Sequence, residues 1–198
     1  MRHLYFATQR ESKVNSLKRE LERLPNWGVL TIPFDVPEPR GENVKEIALA
    51  KVGYAQKFIT KTGVIALDAG FYIDALDGFP GAMVNHILKN TTLGVEAFLK
   101  LMCGVKTRSC RFTECLAFLD PKLTRRPICF EAEIPGTLAE EQRGDFRPDQ
   151  HWSQLATIFI PKNESKTLAE MSEAEYEKWR TIREKSAMKL FVDWLSQF

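Results

Sequence analysis

The stretch Gly63-Val64-Ile65-Ala66-Leu67-Asp68-Ala69-Gly70 constrains this chain most. Val64 to Leu67 is apolar without alternation, the pattern of a strand covered on both faces. Such a strand needs helical layers around it, which directs the chain toward an α/β architecture. The run is expected to end at a lone carboxylate, Asp68. Small residues follow, then a second short strand, then a Phe79-Pro80-Gly81 turn. A carboxylate at the end of a buried strand can hold a metal or activate water, and Ala69-Gly70 leave room for a ligand near the backbone. The same residues also read as a plain strand-turn-strand with Asp68 in the turn.

The flanking pattern agrees with α/β. Leu4 to Ala7 reads as a first strand. Val14, Leu17, Leu21 and Leu24 mark a helix that Pro25-Asn26 stops. Trp27 to Phe34 reads as a second strand, and Pro33 to Glu42 as a loop that cannot be regular. Asn43 can cap a helix whose buried face carries Val44, Ile47, Ala48, Val52, Ala55, Phe58 and Ile59. Helices are expected near Ala82 to Leu88 and Gly94 to Met102. Strands are expected at Arg111 to Leu119, Ile128 to Ile134 and Leu155 to Ile160. Ser172 caps one long final helix. The expectation is a mixed central sheet with flanking helices, two lobes around a cleft, and a single domain over 1–198 with residues 80–135 as a candidate smaller lobe.

Composition excludes some classes. A net charge of +2 with dispersed basic residues is too mild for a nucleic-acid face. No apolar stretch approaches a membrane span, and Met1 to Thr8 turns polar too soon for a secretory leader. Cys103, Cys110, Cys115 and Cys129 lack zinc-ligand spacing and read as reduced thiols of a cytoplasmic protein.

Three polar sites fall at strand ends and loops. Thr8-Gln9-Arg10-Glu11-Ser12-Lys13 joins a strand to a helix N-terminus, where free backbone N–H groups favour an anion; it also reads as a helix cap with a solvated face. Glu38 sits in a Pro-rich loop before Gly41. Asp68 is the third. Glu38 and Asp68 together suit a hard cation such as Mg²⁺, and Lys13 and Lys51 would neutralise a polyphosphate. That set describes phosphoryl transfer or pyrophosphate release.

These residues, in this order, resemble the inosine triphosphate pyrophosphatase family, also called the Ham1-like proteins. The resemblance covers nearly the whole chain. Leu4 to Lys13 is similar to the family's opening strand and Thr-x-Asn-x-x-Lys phosphate loop. Asp35 to Glu42 resembles the loop that supplies the metal-binding Glu, here Glu38. Glu46 to Lys51 resembles the helix with a substrate-binding Lys. Leu67-Asp68-Ala69-Gly70, with Asp74 to Gly81, resembles the most diagnostic block, whose first Asp is the catalytic carboxylate. Phe159-Ile160-Pro161 and Lys166 to Met171 resemble the block before the last helix.

The resemblance implies hydrolysis of non-standard purine nucleoside triphosphates to monophosphate and pyrophosphate with Mg²⁺, by a homodimer. It implies Glu38 and Asp68 as metal ligands, Asp68 also as the catalytic carboxylate. It places substrate contacts at Thr8, Gln9, Arg10, Lys13, Lys51, Ala69, Lys178 and Arg183. The chain departs from the family at Arg10 (for Asn), at Ala69 (for a hydroxyl residue) and at Thr181-Ile182-Arg183 (for Ser-His-Arg). The base-stacking Phe-Gly-(aromatic)-Asp-Pro loop is replaced either by Ser153 to Thr157 or by Phe146-Arg147-Pro148-Asp149. The second keeps an aromatic and an Asp and is preferred; nearby Trp152 also offers a stacking surface. These departures leave two alternatives: a catalytically impaired nucleotide-binding relative, or a pyrophosphatase with altered base selectivity.

Overall fold

The computed structural model describes residues 2–37, 39, 41, 43–90, 92–183 and 186–198. In chain order the elements are β1 (Arg2–Phe6), α1 (Glu11–Leu21), β2 (Trp27–Thr31), α2 (Val44–Gln56), β3 (Val64–Ile73), β4 (Pro80–Gly81), α3 (Val84–Asn90), α4 (Glu96–Leu101), β5 (Ser109–Leu119), β6 (Ile128–Leu138), β7 (Phe159–Pro161), α5 (Glu173–Ile182) and α6 (Ala187–Leu195). Single 3₁₀ turns lie at Asp74–Leu76 and Gln154–Thr157. The sheet is mixed, as expected: β1 pairs parallel with β2 and β3, while β3–β4 and β6–β7 are antiparallel.

The chain forms two compact units. The first comprises Met1–Ala69, Glu114–Ala132 and Lys185–Phe198. Its strand order is β2-β1-β3-β5-β6, with Tyr5 opposite both Leu30 and Val64. Ile65 and Leu67 of β3 join Leu4, Phe6, Leu116 and Phe118 in one buried cluster with Val14, Leu17 and Leu21 of α1 and Phe191, Val192 and Leu195 of α6. Full burial of each such side chain stabilises by roughly 1.5–3 kcal/mol. Strand side chains alternate between faces, so Val64, Ala66 and Asp68 point the other way. On that face lies α2, whose Lys51 meets Asp68. The Asn43 side chain caps α2 as expected, accepting the Lys45 N–H at 2.8 Å.

The second unit comprises Gly70–Thr113 and Glu133–Glu184. It is built on the remaining parts of β3, β5 and β6, with β4 beside β3 and β7 beside β6. Phe112 is its hub, 4.8 Å in ring centroid from both Phe71 and Phe159. Phe98 and Met102 close this core from the α4 side, and Tyr176 and Trp179 from α5.

Four expectations are corrected. Asp68 does not end its strand: β3 continues to Ile73. No residue from Ala69 to Ile73 has a positive φ, so nothing interrupts the extended backbone. Gly70 does not open space for a ligand; the β4 backbone occupies it. Leu155 to Ile160 is not one strand. Ser153 caps a 3₁₀ turn, and the Thr157 hydroxyl donates to the Gln154 carbonyl at 2.8 Å. Such local side-chain bonds compete with the ladder. The long last helix is two, α5 and α6. Ser186 is extended and caps the second, accepting the Lys189 N–H at 3.1 Å. Phe71 is fully buried in the second core.

A Cβ at Gly70 would lie 2.7 Å from the Tyr72 ring and 3.0 Å from the backbone of Gly81 and Ala82. Gly70→Ala is therefore expected to cost about 1–3 kcal/mol, read as a lowered urea midpoint; an unchanged midpoint would contradict the close β3–β4 approach.

Candidate active site

Two helices deliver cations to one point of β3 in the first unit. β1 ends at Phe6, and Ala7 and Thr8 lead toward α1. The Thr8 hydroxyl accepts the Arg10 N–H at 3.2 Å, and the Gln9 side-chain amide donates to the Phe34 carbonyl at 3.4 Å. Arg10 stands just before α1 in extended conformation, and its side chain makes no cap. Within the first turn of α1, Lys13 Nζ donates to the Leu67 carbonyl at 3.0 Å. From α2, Lys51 Nζ donates to Asp68 Oδ1 at 2.8 Å. The two side chains of that pair are only 10% and 9% exposed. Ala69 follows, half-buried.

A buried ion pair of this kind loses hydration on both partners, and its mutual attraction offsets that loss only roughly; apolar replacements of similar size are often neutral or stabilising. Stability therefore does not explain why Lys51 and Asp68 are charged. A helix N-terminus, two ammonium groups and a carboxylate gather within a few residues of β3.

Glu38 lies outside the described residues. The other residues singled out in the sequence belong to the second unit. Phe146 is half-buried, and Asp149 is exposed in the turn at Pro148 to Gln150. Lys178 is exposed on α5. Arg183, at the end of α5, lies against two indoles that also touch each other, its guanidinium carbon 4.7 Å from the Trp152 ring centroid and 5.3 Å from that of Trp179. Ile182 is 60% exposed.

A family model described as the Ham1 family matches residues 4–194. The chain belongs to the Ham1 family. It is 32% identical over 191 residues to a dITP/XTP pyrophosphatase of Methanopyrus kandleri, covering 96% of this chain and 94% of that one. Among solved structures it is similar to a HAM1 protein from Coxiella burnetii, with TM-score 0.83, 23% identity and full coverage of both chains. It is also similar to the Staphylococcus aureus Ham1 protein, with TM-score 0.81, 23% identity and 99% of each chain covered. These two likenesses establish the α/β fold with its mixed sheet.

Within this Ham1 chain, three features escape sequence reading. The Leu67 carbonyl is a partner for Lys13, and a backbone acceptor has no signature in residue identity. The cluster of Trp152 with Trp179 and Arg183 joins positions 27 and 31 residues apart. His151 is almost fully buried; its position four residues after Arg147 is the one sequence cue to the turn it closes.

Removing Lys51 leaves the buried Asp68 carboxylate without the ammonium group that faces it. Lys51→Met alone is expected to lower the stability of the metal-free protein by about 3–5 kcal/mol, whereas Lys51→Met with Asp68→Leu should be close to neutral. Chemical denaturation of the three proteins checks this. Equal losses in the single and double variants would contradict it.

Proposed function

We propose that this chain hydrolyses non-standard purine nucleoside triphosphates, such as dITP and XTP, to the monophosphate and pyrophosphate. One observation carries the reading. In a Ham1-family chain whose relatives are named dITP/XTP pyrophosphatases, a buried Asp68–Lys51 pair stands beside Lys13 on β3. Asp68 is the catalytic carboxylate: Lys51 orients it, and Asp68 takes the proton of the attacking water. Lys13, Lys51 and Arg10, with the first-turn amides of α1, stabilise the charge that collects on the departing pyrophosphate. Thr8 and Gln9 on the β1–α1 connection and Ala69 on β3 are further substrate contacts in this reading. Arg183 and Lys178 of the second unit are the further substrate contacts in this reading.

Mg²⁺ is part of this reading. Among the described residues, no group of three or more His, Cys, Asp or Glu side chains forms a metal cluster. That is compatible with Mg²⁺, which is commonly held by one or two carboxylates with substrate phosphates supplying further oxygens. Asp68 offers a hard oxygen donor of the right kind, and Glu38 is the second ligand proposed. When bound, the ion adds positive charge against the phosphates and polarises their oxygens.

The base is received at the Phe146–Asp149 turn of the second unit. Trp152 is the less available aromatic, because Arg183 covers it and the Phe112 edge packs against it at 6.0 Å. A homodimer in the cytoplasm completes the proposal; no helix of the described residues is long and apolar enough to cross a membrane.

Pyrophosphate release from dITP, XTP and ITP, assayed with and without Mg²⁺, tests the reading. Asp68→Asn is expected to reduce kcat by about 10²–10⁴-fold with the fold retained. Turnover that survives the substitution would remove Asp68 from the chemistry.

A further inference from the structure

The Phe146–Gln150 turn is closed by a reciprocal pair of bonds with one side chain. The His151 N–H donates to the Arg147 carbonyl at 2.7 Å, and the Arg147 N–H donates to His151 Nδ1 at 3.1 Å. A backbone N–H can only donate, so Nδ1 carries a lone pair and the proton of the neutral ring sits on Nε2. The imidazole is 2% exposed. Its ring packs against Phe146 at 6.0 Å and, edge to face, against Tyr176 of α5 at 5.5 Å. The turn is tied down on two further sides. Arg147 Nη2 donates to the Met171 carbonyl at 2.7 Å, and the Tyr176 hydroxyl donates to the Gln150 carbonyl at 3.2 Å.

We propose that His151 is a positioning residue for base recognition: its neutral ring, through Nδ1, holds the Phe146–Asp149 turn in the shape that receives the base. This rests on the reading that the turn faces the base. Protonating Nδ1 replaces an acceptor with a donor aimed at the Arg147 N–H, so the turn loses its closing bond. The surroundings oppose protonation. Burial holds the His151 pKa below its ordinary value, and the Arg147 guanidinium, 3.3 Å from Nε2, pushes the same way. A hydrogen bond to the Leu168 backbone and the Asp149 carboxylate act weakly in the opposite sense. Tyr176 is the titratable group facing the ring from α5. With the folded pKa depressed, the bond is fully present above about pH 6.5, the ordinary histidine value, and is lost as pH falls through the folded value.

The test measures KM and kcat for dITP and XTP from pH 5.5 to 8 in the full chain and three variants. His151→Ala should raise KM about five- to tenfold with kcat within about twofold. His151→Asn places a carbonyl oxygen where Nδ1 lies and does not titrate. It should restore KM and lack the additional acid-side rise in KM that the parent shows; titration of the triphosphate itself is common to both proteins. Phe146→Leu tests the underlying reading and should raise KM by removing the stacking surface. If Phe146→Leu raises KM while both His151 variants match the parent at every pH, the positioning role is overturned and the base-facing turn stands. If Phe146→Leu leaves KM unchanged, the base-facing turn itself falls, and His151 with it. A kcat loss equal to the KM change in His151→Ala, unrescued by Asn, would also overturn the proposal.

Discussion

The buried ion pair between Lys51 and Asp68 is the constraint on which the first unit turns. Two charges nine-tenths withdrawn from water must be delivered to each other with little freedom. The sequence achieves this by covering β3 on both faces. Ile65 and Leu67 bind it to α1 and α6, which leaves Val64, Ala66 and Asp68 to face α2. Asn43 sets the start of α2, so Lys51 arrives two turns later at the level of Asp68. Lys13 arrives independently from α1 at the neighbouring carbonyl. Hydrophobic packing therefore fixes the helices, and the helices fix the charges. The pair does not repay its desolvation in stability; it supplies an oriented carboxylate with positive charge beside it.

The second unit is organised by aromatic rings rather than charge. Phe71, Phe112 and Phe159 form its centre. Trp152, Trp179 and Arg183 cluster next to it, and the His151–Tyr176–Phe146 group supports the turn that is proposed to receive the base. A planar guanidinium set against two indoles is held by both cation–π attraction and area burial. The turn is likewise held by groups whose geometry is rigid.

The sequence made the α/β order legible because its helices carry clear three-to-four spacing and β3 carries an unbroken apolar run. Asn43 and Ser172 announced their helices through capping chemistry, and Asp68, Lys51 and Lys13 stood out as charges beside buried elements. What stayed hidden depended on partners distant in the chain. The continuation of β3 past Asp68 requires β4 to pack on Gly70, which local propensity does not encode. The break between α5 and α6 contains neither Gly nor Pro, and Ser186 alone signals it. The burial of Phe71 depends on Phe112 and Phe159, which lie about 40 and 90 residues away in the chain. His151 gave no sign of its role, since one buried histidine resembles any other until its acceptor is seen.

Product stoichiometry by phosphorus NMR during XTP turnover tests the central claim most directly. The buried carboxylate and its flanking lysines, used as proposed, give one pyrophosphate for each monophosphate and no orthophosphate. Release of orthophosphate with accumulation of the diphosphate would place the cleavage at the wrong anhydride and contradict the account.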